Sequence, residues 1–234
     1  MGASRIEWTE TTWNPITGCT KHSDGCLNCY AERMTRRLKA MGLATYKMGF
    51  KPVFHDELLE KPLGWKKSRM IFVNSMSDTF HESISDEQIL KLFAIMNKAS
   101  WHTFQVLTKR SDRLLQLSGK INWTSNIWQG VTVEHAATRH RIEDLRRTGA
   151  QTKFLSIEPL LGALPGLNVS GINWVIVGGE SGPGARPMKK EWVTAIRDVC
   201  IKTQTPFFFK QWGGVRKKEN GRSLDNKIWD EMPV

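Results

Sequence analysis

Short runs of consecutive apolar residues alternate along this chain with longer stretches in which apolar residues recur every three or four positions. The short runs predict strands at 13–18, 70–75, 103–108, 127–133, 153–157, 174–178 and 206–210. Most are continuously apolar and rich in Val, Ile and Phe, as strands buried on both faces of a parallel sheet are. The longer stretches predict helices at 29–41, 86–99, 111–117, 135–147 and 189–202. Ser85-Asp86-Glu87 marks a helix start with acidic residues in the first turn. Repeated strand–helix units make a parallel sheet with right-handed crossovers, either curled into a barrel or open and doubly wound.

The residues at the C-terminal end of each strand separate these two architectures. These ends read Asn74-Ser-Met-Ser-Asp78, Thr108-Lys-Arg110, Thr132-Val-Glu134, Ser156-Ile-Glu158, Gly178-Gly-Glu-Ser-Gly182 and Lys210-Gln-Trp-Gly213. In a barrel all C-terminal strand ends converge on one mouth, whereas an open sheet needs polar ends mainly at its switch point. Six polar ends predict an α/β fold built as a partial or complete parallel (β/α) barrel. The 234 residues suit one such domain spanning 1–234, with a cysteine loop at 18–30 and a basic C-terminal segment at 211–234. No repeat, low-complexity tract or linker divides the chain.

Composition narrows the setting. With 40% hydrophobic and 24% charged residues the chain is an ordinary globular one, not a disordered one. No apolar run is long enough to span a bilayer, and the opening residues lack the apolar centre of a signal peptide. A cytoplasmic location and no membrane partner are expected. The formal net charge is +11, with basic residues gathered at 33–39, 61–69, 139–147, 189–190 and 216–218. Together with ten Trp residues this suits a polyanion with stackable bases, a nucleic acid or nucleotide.

Three of the four cysteines, Cys19, Cys26 and Cys29, lie within eleven residues as C-x6-C-x2-C. Under reducing conditions such clusters bind metal more often than they form disulfides. Three thiolates can hold three irons of a 4Fe-4S cluster and leave the fourth open. With a fourth ligand such as His22 they can instead hold zinc. Gly18 and Gly25 let the backbone turn tightly, and the helix that Tyr30 opens would place its positive end beside an anionic group. Cys200, inside a helical pattern, reads as a small buried apolar residue. His55, His81, His102, His135 and His140 show no H-x-x-x-H pairing, and only His81 stands near a candidate acid, Asp78.

The remaining strand ends read as a substrate side. Arg110, Glu158, Glu180 and Arg186 can hydrogen-bond a base or move a proton. Gly178 and Gly179 permit close backbone approach to a ligand, and Lys210 with Trp212 joins a charge to a stacking plane. Gly178-Gly179-Glu180 lacks the spacing of a dinucleotide fingerprint, so no nicotinamide cofactor is expected.

The strings Trp13-Asn-Pro-Ile-Thr-Gly-Cys19, Cys26-x-x-Cys-Tyr-Ala-Glu32, Leu107-Thr-Lys-Arg110, Ser156-Ile-Glu-Pro-Leu-Leu161, Val177-Gly-Gly-Glu-Ser-Gly182 and Phe209-Lys-Gln-Trp-Gly213 resemble a phage-associated three-cysteine protein family. That family occurs in phages and bacteria and has no assigned activity. More distantly, the layout is similar to the radical S-adenosylmethionine (SAM) superfamily, in particular its spore photoproduct lyase branch. The resemblance implies a partial barrel of the radical SAM type, a 4Fe-4S cluster on Cys19, Cys26 and Cys29, and SAM bound at the open iron and cleaved reductively. It implies that Ser77 and Asp78 contact the SAM ribose, that Lys109 contacts the SAM carboxylate, and that Thr132 and Glu134 also reach SAM. Tyr30 and Ser75 belong to the same cofactor side. The first cysteine gap is six residues where that superfamily usually has three, and Met76 stands where the lyase carries its hydrogen-donating cysteine, so lyase activity itself is not expected. The implied function is radical modification of a nucleic-acid base or nucleotide, as in phage DNA modification, with a reductant protein and a partner enzyme as further partners. A phage-encoded chain would act in the cytoplasm of a bacterial host. The alternative is a non-enzymatic nucleic-acid-binding protein stabilised by zinc or an iron–sulfur cluster.

Overall fold

The computed structural model describes residues 6–233. The first half of the chain forms strand β1 (Thr11–Trp13), strand β2 (Ile16–Thr17), helix α1 (Tyr30–Ala40), β3 (Val53–Phe54), β4 (Met70–Val73), α2 (Asp86–Lys98), β5 (Thr103–Thr108) and α3 (Ser111–Ser118). The second half forms β6 (Ile127–Thr132), α4 (His140–Arg146), β7 (Thr152–Ile157), β8 (Trp174–Gly178), α5 (Lys190–Thr203), β9 (Phe207–Gln211), the short helix α6 (Lys217–Asn220) and the hairpin strands β10 (Ser223–Leu224) and β11 (Lys227–Ile228).

Seven strands make one sheet in the order β1-β4-β5-β6-β7-β8-β9, with every neighbouring pair parallel. Spatial order follows chain order without reversal, so the sheet has no switch point and curls into a half-barrel. This is the partial (β/α) barrel that the strand ends predict. At the β9 edge, Asp230 bridges Phe208 antiparallel and Trp229 O accepts from Phe209 N at 2.9 Å, so the edge is covered.

Side chains alternate across the sheet with period two. Ile71, Val73, Leu155, Ile157, Val175, Val177, Phe207 and Phe209 join Leu92, Leu114, Ile142 and Val193 of the helices in one large core. Phe72, Phe154, Trp174, Ile176 and Phe208 point the other way, into the concave side, where they close around Trp8. Trp8 meets Phe72 edge-on at 4.8 Å and Trp174 at 6.0 Å. This aromatic plug fills the end of the barrel where the strands begin. Gly130 of β6 makes room for it: a Cβ there would lie 2.4 Å from the Phe154 ring.

The helices start as their sequences direct. At α2, Gln88 N donates to Ser85 Oγ at 3.2 Å and Ser85 N donates to Gln88 Oε1 at 3.0 Å, a complete capping box.

The structure adds α6, β10 and β11, which the pattern did not predict, and departs from the predicted elements in three earlier places. The strand expected at 13–18 breaks at Asn14-Pro15, because Pro15 has no amide to donate and Asn14 Oδ1 accepts from Ser75 Oγ and Met76 N instead. Its second part, β2, pairs antiparallel with β3, a strand the pattern did not indicate. The strand expected at 70–75 stops at Val73, where Asn74 turns the chain with φ 57° and receives Ile16 N on its side-chain oxygen. The helix expected at 135–147 opens as a separate 3-10 turn, Ala136–Thr138, before α4. Among the described residues no helix is long and apolar enough to cross a membrane.

Candidate functional site

Continuing the inward rows past the aromatic plug reaches the mouth, where the same alternation presents Lys109, Thr132, Glu134, Ser156, Glu158, Gly178 and Lys210. Their charges are paired. Lys210 Nζ lies 2.8 and 3.0 Å from the two oxygens of Glu158. Lys109 Nζ is 3.2 Å from Glu134 Oε1, and Arg141 Nη1 donates to Glu134 Oε2 at 3.0 Å. Glu134 is fully buried. Burial alone would raise its carboxyl, but Lys109, Ser23 and Arg141 outweigh it and hold the carboxyl below its ordinary value.

The cysteine loop lies across this mouth and is fastened to the ends of four strands. Ser77 Oγ, beyond β4, donates to Gly18 O at 2.5 Å, and Thr20 Oγ1 donates to Glu82 Oε1 at 3.0 Å. From the end of β5, Arg110 Nη2 donates to Thr20 Oγ1 at 2.9 Å. Beyond β6, Glu134 Oε1 accepts from Ser23 Oγ at 2.5 Å, and Gly25 packs so closely that a Cβ would meet the same oxygen. Beyond β8, Glu180 Oε2 accepts from Asn28 Nδ2 at 3.0 Å, and Arg186 Nη2 donates to Asp24 O at 2.9 Å. Arg186 also grips Glu180 at 2.6 and 3.0 Å. Burial would raise the Glu180 carboxyl, yet the Arg186 bonds and Asn28 hold it at about 2.

Several residues singled out from the sequence therefore serve the loop rather than an open pocket. Asp78 is buried with both oxygens engaged: Oδ1 by Thr108 Oγ1 and Phe80 N, Oδ2 by Lys109 N and Arg110 Nη1. Arg110 sits with Cys19, away from Glu158 and Lys210. Glu180 and Arg186 are mutually paired at the base of the loop. Gly179 approaches protein backbone, not a free surface: a Cβ there would lie 2.0 Å from Trp212 O. Trp212 turns toward the helix-side core, edge-on to Phe209 at 4.9 Å, and its indole N–H donates to Ser223 O, so its ring does not line the mouth with Lys210. Tyr30 OH donates to Ser75 O, tying the start of α1 to the turn after β4. Sequence reading missed Thr20, Ser23, Asn28, Glu82 and Arg141. The usable signal for Ser23 and Asn28 was that the cysteine loop is polar between its sulfurs.

All four cysteines are free, and they divide by exposure: Cys19, Cys26 and Cys29 are half-buried, whereas Cys200 is buried in the helix-side core. Burial and Asp78 push the Cys19 thiol up to about 12 against the opposing pull of Arg110. A bound metal would displace that proton. Among the described residues no three His, Cys, Asp or Glu side chains gather as around one ion. A cubane takes each cysteine on a different iron, so its ligands need not converge on a point. Three sulfurs from one loop, with glycines where the backbone is tightest, fit such a group by donor chemistry.

Residues 3–233 match a family described as a protein of unknown function (DUF5131), and the chain belongs to that family. No curated protein matches it. Among solved structures, a spore photoproduct lyase complexed with dinucleoside spore photoproduct is similar at 12% identity and a TM-score of 0.48, covering 86% of this chain. This chain spans 63% of that one.

Proposed function

We propose that this member of the DUF5131 family is a radical SAM-like iron–sulfur enzyme acting on a nucleic-acid base or nucleotide. The observation that carries the reading is the fastening of a three-cysteine loop, by side-chain hydrogen bonds, over the polar mouth of a half-barrel. Cys19, Cys26 and Cys29 would hold a 4Fe-4S cluster. When bound, that cluster supplies one electron for reductive cleavage of a sulfonium C–S bond in SAM.

The chain's own residues divide the mouth. On the cofactor side, Lys109 is the group able to offset a carboxylate, since its side chain keeps 20% of its surface open beside Glu134. Tyr30, Ser75, Ser77, Asp78, Thr132 and Glu134 would order the surroundings of the cofactor. Asp78 would do so as an anchor, its oxygens being already bonded. On the substrate side, the Glu158–Lys210 pair stands over the aromatic plug and can exchange its internal bonds for those of a base edge or a phosphate. The net charge of +11 favours a polyanionic substrate.

Anaerobic reconstitution with iron and sulfide, followed by dithionite and SAM, tests the reading. About four irons per chain and release of 5′-deoxyadenosine are expected. A colourless protein with one zinc, or a loaded protein that neither binds nor cleaves SAM, overturns it.

A further inference from the structure

Arg110 stands at the end of β5 and is 4% exposed. Each of its five N–H groups has a partner. Nε donates to Glu82 Oε2 at 2.8 Å. Nη1 donates to Asp78 Oδ2 at 3.2 Å and to Cys19 Sγ at 3.7 Å. Nη2 donates to Thr20 O at 3.3 Å and to Thr20 Oγ1 at 2.9 Å. One planar guanidinium thus grips the sulfur of Cys19 and both oxygens of the next residue, while two carboxylates hold it from behind. From the other side, Cys19 N donates to Phe50 O at 3.0 Å. Among the described residues, Arg110 is the one side chain that hydrogen-bonds to a sulfur of the loop.

The asymmetry matters for electron transfer. Hydrogen bonds to cysteine sulfur and nearby charge set the reduction potential of an iron–sulfur cluster, and a buried charge acts more strongly than an exposed one. Adding one electron makes the cluster more negative without making or breaking a bond, so a cation at the sulfur favours the reduced form.

We infer that Arg110 is a positioning residue for the cluster. It fixes Cys19 in the loop and, through its hydrogen bond to that sulfur, holds the potential above the value the three thiolates alone would give. The inference rests on the cluster reading above, and it separates Arg110 from the substrate side of the mouth.

The test compares wild-type, Arg110→Lys, Arg110→Gln and Glu82→Gln proteins, reconstituted anaerobically without SAM. Iron and sulfide per chain are measured, and the midpoint potential is taken by an EPR-monitored titration. Arg110→Gln should load less iron, and the cluster that does load should reduce at a more negative potential. Arg110→Lys keeps the charge but loses the fork, so its potential should lie between those of Arg110→Gln and wild type. Glu82→Gln removes an opposing charge from an exposed position, so the cluster that loads should reduce at a higher potential than in wild type. If Arg110→Gln does not fold, the Lys and Glu82 variants carry the comparison. Full loading with an unmoved potential in the Arg110 and Glu82 variants overturns the inference and leaves the cluster reading standing. Failure of the wild-type chain to take up iron and sulfide overturns both.

Discussion

Lys210 on β9 and Glu158 beyond β7 are joined across the intervening strand by a two-point ion pair at 2.8 and 3.0 Å, with side chains only 15% and 20% exposed. Removing one partner leaves the other charged and largely shielded. Lys210→Met should therefore destabilise the protein by on the order of 2–4 kcal/mol, while the double change Lys210→Met with Glu158→Leu should recover most of that. Urea unfolding of the two single variants and the double variant gives the coupling directly. A loss in the double variant equal to the sum of the two single losses would show that the pair contributes nothing beyond its separate members.

Glu180 makes the cysteine loop sensitive to acid. Its carboxyl lies at about 2 in the folded protein against an ordinary 4.5. A depressed carboxyl stabilises the fold fully above the unfolded value and loses that contribution as pH falls toward the folded one. Between pH 4.5 and about 2, the protection of amides 18–30 relative to their intrinsic exchange rates should fall in the wild type. In Glu180→Gln that protection should already be low at neutral pH and change little over the same range.

The cysteines should separate cleanly by substitution. Changing Cys19, Cys26 or Cys29 to Ala should sharply reduce iron uptake in reconstitution. Cys200→Ala should leave uptake intact and lower stability by about 1–2 kcal/mol, because this thiol is wholly buried in the helix-side core. Iron content and Tm, measured on the same samples, distinguish the two classes. Loss of iron on Cys200→Ala would contradict the assignment.

Gly130 gives a prediction about the plug. With the Phe154 ring 2.4 Å from where a Cβ would stand, Gly130→Ala should cost about 1–3 kcal/mol. Adding Phe154→Leu to that variant should lessen the penalty, as thermal unfolding would show. An unchanged Tm in Gly130→Ala would mean that the plug is loosely packed.

The main strands were readable because their burial is two-sided: Trp174 and Ile176 face the plug while Val175 and Val177 face the helices, leaving one unbroken apolar run. The hairpin of β10 and β11 was not read, although Asp225 and Asn226, both with positive φ at 53° and 58°, are residues such a turn favours. In the site, the ends of strands revealed which charges reach the mouth but not which of them meet. Asp78 pairs with Arg110, and Lys109 with Glu134, because curvature and the cysteine loop select partners that spacing along the chain cannot rank. Trp212 shows the same limit: its place beside Lys210 in sequence says nothing about which side of the sheet its ring takes.

The loop's anchors also set an order of events during synthesis. Asn28 bonds the Gly184 carbonyl across 156 residues of chain. At elongation rates of roughly 5–20 residues per second, Cys19, Cys26 and Cys29 leave the ribosome on the order of ten seconds before that anchor exists. During that interval the three thiols belong to an unfinished barrel, open to oxidants and to whatever carries iron. Assembly of the proposed cluster would then be a race between delivery and damage, with the late strands deciding when it closes.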